Sequence, residues 1–159
     1  MKKDISIIMG SINDKDIMTK AFLLLDKFEI GYEKKIISAH RALDSLCDYV
    51  DTLEIRGFKV IIAAAGGAAA LPGVIAAMTV LPVIGVPIKS ASFNGIDSLL
   101  SIVQMPAGVP VATVAVNGAT NAAVLAVQML ALFNPDIENK LRLYKEDIKT
   151  ASLKSGKDL

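Results

Sequence analysis

Two long stretches of this chain, residues 60–88 and 98–135, carry no charged side chain. Each is long enough to cross a bilayer, and 53% of all residues are hydrophobic. Glycine and proline nevertheless interrupt the first stretch at short intervals, and glycine, proline and amide side chains interrupt the second. Interrupting residues at such short intervals are typical of short buried strands and helices in a globular fold. We therefore expect no membrane partner.

Strand-like and helix-like segments alternate along the chain. This order predicts a central parallel sheet of about five strands with helices on both faces, a three-layer α/β/α sandwich of the flavodoxin-like or Rossmann-like type. We expect a single α/β catalytic domain over residues 1–149 and a mobile tail over 150–159. The predicted strands are 5–9, 32–37, 59–65, 81–86 and 111–116, and apolar residues at helical spacing follow them, with a last helix over 135–149.

The charge and cysteine content narrows the classes of partner and compartment. A formal net charge of +1 gives no reason to expect a nucleic acid polymer. The single cysteine, Cys47, cannot form an internal disulfide, excludes a zinc cluster built on cysteines and is typical of a reducing compartment. No long apolar segment precedes the first strand, so we expect no signal peptide and a cytoplasmic protein.

The uncharged stretches also predict self-association. A single domain of this size has too little interior to bury both of them completely. Apolar helix faces that remain are best covered by further copies of the same chain. We therefore expect a homo-oligomer with large interfaces, in which a residue such as Ala126 lies between copies.

Three polar or glycine-rich turns, at 10–14, 38–41 and 66–73, follow predicted strands. In parallel sheets ligands bind beyond the carboxyl ends of the strands, so these turns mark the candidate site. In the first turn, Ser11 and the start of a helix favour a phosphate, and Asp14 suits a sugar diol. The alternative is that Asp14 or Asn13 only caps the helix. No Gly-Lys-Ser motif is present, so a nucleoside triphosphate with magnesium is not implied.

The second turn contains the only histidine of the chain, His40. An imidazole can give or take a proton near neutral pH, and Ser38 and Arg41 beside it could complete a phosphate clamp. The alternative is a half-buried histidine that is hydrogen-bonded to a backbone carbonyl.

The third turn contains only glycine, proline and small apolar residues. Such a loop lets a ligand approach the backbone closely and leaves a small apolar pocket. Phosphate, diol, imidazole and dry pocket together describe a site for a ribonucleotide monophosphate, with proton transfer at its base. One histidine and scattered carboxylates give no metal-ligand spacing, so we expect no metal.

Five motifs follow one another in a specific order. They are Ile-Met-Gly-Ser at 8–11 with Asp14, Ser-Ala-His-Arg at 38–41, Ala-Gly-Gly-Ala-Ala at 65–69 with Leu-Pro-Gly at 71–73, Pro-Val-Ile-Gly-Val-Pro at 82–87, and Asp-Ser-Leu-Leu-Ser-Ile-Val-Gln-Met-Pro at 97–106. Together they resemble the class I phosphoribosylaminoimidazole carboxylase family, the N5-carboxyaminoimidazole ribonucleotide mutases of purine biosynthesis. The resemblance runs from about residue 5 to residue 145.

The resemblance implies an isomerase without a cofactor. It converts N5-carboxyaminoimidazole ribonucleotide to 4-carboxy-5-aminoimidazole ribonucleotide by decarboxylation and recarboxylation, with His40 as the general acid and base. The family also implies a homo-octamer. Its substrate contacts correspond here to Ser11, Asp14, Ser38, Arg41, Gly66, Gly67 and Ala68, the last three in a loop that would hold carbon dioxide.

One position departs from the class I pattern, which has a second histidine where this chain has Ala70. The class II branch, which carboxylates aminoimidazole ribonucleotide with free carbon dioxide, typically has alanine there. Class II also has lysine at the position of Arg41 and arginine-serine-asparagine at 67–69, which this chain lacks. Two alternatives to the mutase therefore remain, a carboxylase that uses free carbon dioxide and a non-catalytic nucleotide-binding module.

Overall fold

A computed structural model describes residues 2–155 of the chain. Its strands form one sheet in the order β2-β1-β3-β4-β5, and every neighbouring pair is parallel. This confirms the predicted flavodoxin-like α/β fold with a five-stranded parallel sheet. The strands are β1 (Lys3–Met9), β2 (Gly31–Ile36), β3 (Val60–Gly66), β4 (Val83–Ile88) and β5 (Ala112–Thr113), and the helices are α1 (Lys15–Lys27), α2 (Leu43–Asp51), α3 (Leu71–Ala76), α4 (Ile96–Val103), α5 (Ala119–Ala131) and α6 (Pro135–Ser155).

Both faces of the central strands are buried. Side chains alternate between the two faces of a strand, and Ile61 and Ala63 of β3 join an apolar cluster with residues of α2, α3 and α4. The intervening Ile62 and Ala64 are 0% exposed as well. Burial on both faces explains why these strands consist of unbroken apolar runs.

The last strand is shorter than the sequence predicts. Residues 111–116 were expected to form a strand, but β5 contains only two residues. Beyond it, the N–H of Val114 donates to the carbonyl of Gly85, and that of Asn117 donates to the carbonyl of Pro87. Three residues on this side therefore span two residues of β4, and the extra residue breaks the regular ladder.

The C-terminal part of the chain also differs from the prediction. The chain divides into two compact units, a first that ends at Ala126 and a second that begins at Val127. The second contains the last residues of α5 and helix α6, which continues to Ser155, beyond the predicted end near residue 149. The predicted single domain over 1–149 stays a prediction. So does the mobile tail over 150–159, whose last four residues lie outside the described part of the chain.

None of the helices within residues 2–155 is long and apolar enough to cross a membrane. Only part of the second uncharged stretch is buried within the chain, and most of that part lies on α5. Ala126, expected between copies, is 0% exposed, because α5 turns its small residues inward. That expectation was wrong for Ala126. On α4 the inner face, with Ser98 and Ile102, is buried, whereas Leu100 is 52% exposed.

A network of polar side chains connects β1, β2 and α2 near the edge of the sheet opposite β5. The Arg56 guanidinium donates to both carboxylate oxygens of Glu33, at 2.8 and 2.7 Å, and Lys3 and Tyr49 donate to the same group. Arg56 above all, and then Lys3, lower the pKa of Glu33 to about 2. Tyr49 in turn is hydrogen-bonded to the buried hydroxyl of Ser6 at 2.9 Å.

Helix α4 packs against β4 at Gly85, where a side chain would not fit. A Cβ atom on Gly85 would overlap Ile102 and lie 2.9 Å from a methyl group of Val111. We expect Gly85→Ala to lower the free energy of unfolding by about 1–3 kcal/mol, because extra volume in a packed core forces its neighbours apart. Urea unfolding followed by circular dichroism measures this change.

Gly10→Ala is the matched control. A Cβ atom there would meet only ordinary contacts, the nearest at 3.7 Å from the carbonyl of Ala64. We expect its unfolding free energy to equal or slightly exceed that of the wild type. Equal stability of Gly85→Ala and the wild type would contradict the packing argument.

Candidate active site

A cavity of about 460 Å³ lies at the carboxyl ends of the strands. Six of the residues predicted from the sequence to form the site line it, namely Ser11, Asp14, Ser38, His40, Arg41 and Gly66. Gly67 and Ala68, predicted to contact substrate, lie in the same loop but do not line the cavity. The structure therefore brings most of the predicted residues of all three turns together.

The sheet register explains why these turns meet. Met9 of β1 pairs with Ile36 of β2 and with Ala64 of β3, so the three strands end close to one level. The ladder then continues into the turns, because the N–H of Ile37 donates to the carbonyl of Met9 and that of Gly10 to the carbonyl of Ala64. Each turn thus leaves the sheet from a fixed position.

The first turn is a capping box around Ser11 and Asp14. The Ser11 N–H donates to the Asp14 carboxylate at 2.9 Å, and the Asn13 N–H donates to the Ser11 hydroxyl at 3.2 Å. The Asp14 N–H is bonded to the Ser11 carbonyl. Ser11 is therefore the cap of this turn, and the Asp14 side chain completes the box. Asp14 also stands at the start of α1, but its side chain forms no capping bond to that helix. Because these N–H groups are already used, a phosphate at this turn would bind mainly to side chains rather than to free backbone groups.

Asp14 is the most enclosed polar side chain of the cavity wall and is 5% exposed. Burial raises the pKa of Asp14 above its ordinary value, although hydrogen bonds from the backbone of Ser11 and Gly10 act in the opposite direction. A carboxylate that already accepts one backbone bond still has lone pairs for further donors, such as the two hydroxyls of a sugar.

Arg41 connects the first and second turns. Its Nε donates to the Ser38 hydroxyl at 3.2 Å, and its Nη2 donates to the carbonyl of Gly10 at 3.4 Å. The guanidinium has five N–H donors, so these two bonds fix its position and leave others for a ligand. A planar, permanently charged group held in this way is well suited to a phosphate.

The hydroxyls of Ser11 and Ser38 are both oriented as acceptors. Ser11 accepts from the Asn13 N–H, and Ser38 accepts from Arg41. Because each oxygen is an acceptor in these bonds, its proton remains available to donate to an anion in the cavity. Two hydroxyl donors and a guanidinium therefore surround one end of the cavity.

His40 is exposed at the cavity wall. Its imidazole has no hydrogen-bond partner within residues 2–155, so the alternative of a half-buried histidine bonded to a carbonyl is wrong. Both ring nitrogens can instead face a ligand. An imidazole in this position can donate a proton to a bound molecule and accept one from it.

The third turn forms an apolar wall. Ala65, Ala69 and Leu71 line the cavity and are 6%, 2% and 2% exposed. The loop turns sharply at Gly67, whose φ of +62° is a conformation that favours glycine. Ala70, at the position of the class I histidine, lines the cavity as well and adds no polar atom. A small non-polar group could occupy this part of the cavity without water.

Lys89 is a cavity residue that the sequence analysis missed. It follows directly on β4, whose Ile88 also lines the cavity. The signal was available, because Lys89 is the first charged residue after the uncharged stretch and stands at the carboxyl end of a buried strand. Within the described chain, no group of three or more histidine, cysteine or acidic side chains could hold a metal ion.

Comparison with known proteins gives concordant matches. The model of the AIR carboxylase family matches residues 4–151. The chain is 58% identical over 145 residues to N5-carboxyaminoimidazole ribonucleotide mutase of Pyrococcus abyssi, which covers 91% of this chain and 83% of that protein. It is 52% identical over 161 residues to the protein of the same name from Bacillus subtilis, covering 100% and 99%. The crystal structure of Treponema denticola PurE is 28% identical and superimposes with a TM-score of 0.89 over 98% of this chain and 97% of that chain.

Replacing Arg41 tests whether the hydroxyl-guanidinium end of the cavity binds phosphate. We expect Arg41→Ala to weaken the binding of a ribonucleotide monophosphate by about 1.5–3 kcal/mol, the usual value for a hydrogen bond to a charged group. The corresponding nucleoside, which lacks the phosphate, should bind Arg41→Ala and the wild type equally. Isothermal titration calorimetry measures both affinities.

Arg142→Ala is the matched control, because Arg142 pairs with Glu138 on α6 and does not line the cavity. Its nucleotide affinity should equal that of the wild type. A large difference between Arg41→Ala and the wild type toward the nucleoside would show that Arg41 does not act through the phosphate.

Proposed function

The chain belongs to the AIR carboxylase family, as its motifs predict, and we propose that it is an N5-carboxyaminoimidazole ribonucleotide mutase of purine biosynthesis. Relatives of that name match nearly the whole chain at more than half of the aligned positions. The observation that carries the proposal is the cavity itself, whose wall combines one imidazole with a guanidinium, two hydroxyls and an apolar loop.

The substrate fits the cavity in one orientation. Its phosphate binds the hydroxyls of Ser11 and Ser38 and the guanidinium of Arg41, since these donors meet at one end. Its ribose hydroxyls donate to Asp14, the buried carboxylate between that end and the base. The imidazole ring then lies beside His40 and the apolar wall of the third turn.

The reaction moves one carboxyl group within the substrate. The bond between N5 and the carbamate carbon breaks, the nitrogen receives a proton, and carbon dioxide stays in the cavity. Carbon C4 of the imidazole ring then attacks this carbon dioxide, and the proton on C4 must leave. His40 supplies the first proton and accepts the second, so the enzyme ends in its initial protonation state.

The apolar wall holds carbon dioxide between the two steps. Ala65, Ala69 and Leu71 are buried, and their apolar side chains form no hydrogen bonds with the gas or with water. A dry position slows both the hydration of carbon dioxide and its escape. Recapture by C4 is therefore favoured over release into solution.

A carboxylase that takes up free carbon dioxide is the second candidate, and Ala70 is the residue that favours it. Arg41 and the Gly67-Ala68-Ala69 sequence favour the mutase, and relatives that match more than half of the aligned positions carry the mutase name. We therefore assign the intramolecular reaction to this chain.

The single cysteine is typical of a reducing compartment, which supports a cytoplasmic enzyme.

Bicarbonate dependence distinguishes the two reactions. We expect the enzyme to convert N5-carboxyaminoimidazole ribonucleotide without added bicarbonate, because the carboxyl group comes from the substrate. His40→Asn should lower this turnover by about 10²–10⁴-fold, the usual contribution of a general acid or base, and change nucleotide affinity less than tenfold. Absorbance assays of product formation, with each substrate and with or without bicarbonate, measure both effects.

Each result of this assay has a clear meaning. Turnover that occurs only with aminoimidazole ribonucleotide and bicarbonate would select the carboxylase. No turnover with either substrate, although nucleotide binds, would select the non-catalytic binding module. If His40→Asn keeps a tenth or more of wild-type activity, His40 is not the proton carrier.

A homo-oligomer, an octamer as in the family that the motifs resemble, is the assembly we propose. Support comes from an apolar stripe on α4, formed by Ile96, Leu100 and Val103, which are 61%, 52% and 47% exposed and lie three and four residues apart. Phe93 beside it is 65% exposed. Such a stripe on a folded unit is best covered by another copy of the chain.

A charge in the stripe should break the assembly. We expect Leu100→Glu to sediment as a smaller species than the wild type at micromolar concentration, because the carboxylate would be buried without a partner. Ile55→Glu is the control, since Ile55 is 89% exposed in the turn after α2, away from the stripe, and should leave the mass unchanged. A wild type that sediments as a stable monomer would refute the oligomer.

A further inference from the structure

Lys89 has no role in the mechanism above, although it lines the cavity. It is exposed, and its ammonium forms no ion pair with any residue of the described chain. Its backbone is fixed instead, because its N–H donates to the amide oxygen of Asn117 at 2.9 Å. Lys89 is thus a cation without an ion-pair partner in the described chain, on a flexible side chain whose backbone is held in place.

Lys89 and Arg41 stand on opposite sides of the cavity. The Arg41 guanidinium reaches the carbonyl of Gly10 at the end of β1, whereas Lys89 follows β4. Strand β3 lies between β1 and β4, so these two strand ends are two spacings apart, roughly 10 Å. A ligand with an anionic group at each end would meet one cation at each end.

The apolar wall lies next to the stem of Lys89. Gly66 pairs with Ile88 in the sheet, and a Cβ atom on Gly66 would lie 3.4 Å from the Ile88 carbonyl. The loop that forms the wall therefore begins beside the residue that precedes Lys89. Among the cavity-lining residues of the described chain, Lys89 is the one cationic side chain next to the apolar wall, and Ala69 and Ala70 of that wall carry no polar group.

We propose that Lys89 is a specificity-determining residue that binds the carboxyl group on the base. This inference rests on the mutase function, since it requires a nucleotide that carries a carboxylate besides its phosphate. The ammonium pairs with the carbamate of the substrate and with the C4 carboxylate of the product. At the intermediate stage the carboxyl group is neutral carbon dioxide, and the flexible lysine stem returns the charge to solvent.

Lys89 therefore stabilises the bound substrate and the bound product and not the steps between them. It contacts the carboxylate before and after the reaction and has no anion to contact between the two steps. Loss of an interaction that is made only in the bound ground states raises KM and kcat together and leaves kcat/KM nearly unchanged. The same contact selects carboxylated nucleotides over aminoimidazole ribonucleotide, the species that a mutase must not accumulate.

Affinities for two nucleotides test the proposal. We expect Lys89→Met to bind 4-carboxy-5-aminoimidazole ribonucleotide about tenfold more weakly than the wild type, the lower range for a charged hydrogen bond because Lys89 is exposed. Aminoimidazole ribonucleotide, which lacks the carboxylate, should bind both proteins equally. Lys89→Arg keeps the charge and should restore most of the difference. Calorimetry gives the affinities, and steady-state kinetics should show KM and kcat raised together, with kcat/KM within about twofold.

Lys59→Met is the matched control for the loss of one positive charge. Lys59 is exposed and directly precedes β3, at the opposite end of the sheet, so both nucleotides should bind this variant as they bind the wild type. Equal weakening of both nucleotides by Lys89→Met, or no weakening of either, would overturn the proposal. These binding results are separate from turnover: a wild type that is inactive without bicarbonate refutes the mutase function, whereas an unchanged affinity difference in Lys89→Met refutes only the role of Lys89.

Discussion

The parallel pairing of β1 with both of its neighbours is the constraint on which the site depends. No residue of β2 and only the last two residues of β3 line the cavity, but their register with β1 makes the three strands end together. A shift of one residue in either pair would move a turn along the sheet by about 3.3 Å and turn its first side chain to the other face. The apolar contacts that bury both faces of β3 oppose any such shift.

The fold was predictable because its signals are local. Apolar runs followed by helical spacing indicate buried parallel strands, and four of the five strands lie where this pattern places them. Strand β5 was overestimated because residues 111–116 have a strand-like composition, whereas the length of the strand depends on the hydrogen bonds that β4 can offer. The end of α6 was placed too early, because the lysine and serine residues after 149 are as compatible with a helix as with a coil.

The site was predictable as a set of turns but not as a set of contacts. Sequence order indicates that Ser11, Ser38 and His40 follow strands, and the parallel sheet then brings them to one edge. It does not indicate that the backbone of the first turn is already hydrogen-bonded, which leaves the phosphate to side chains. Lys89 was missed because it belongs to no recognisable motif. Only the folded structure shows that this single lysine lines the cavity.

Asp14 closes the first turn and also faces the cavity, so the turn and the ligand share one carboxylate. A sugar hydroxyl can donate to the Asp14 carboxylate without displacing the Ser11 N–H, because that N–H occupies only one lone pair of the carboxylate. The added hydrogen bond would polarise the carboxylate and restrict its motion. A ligand bound to Asp14 therefore also stabilises the turn against local opening. The hydrogen-exchange rate of the Ser11 backbone amide thus reports whether the cavity is occupied.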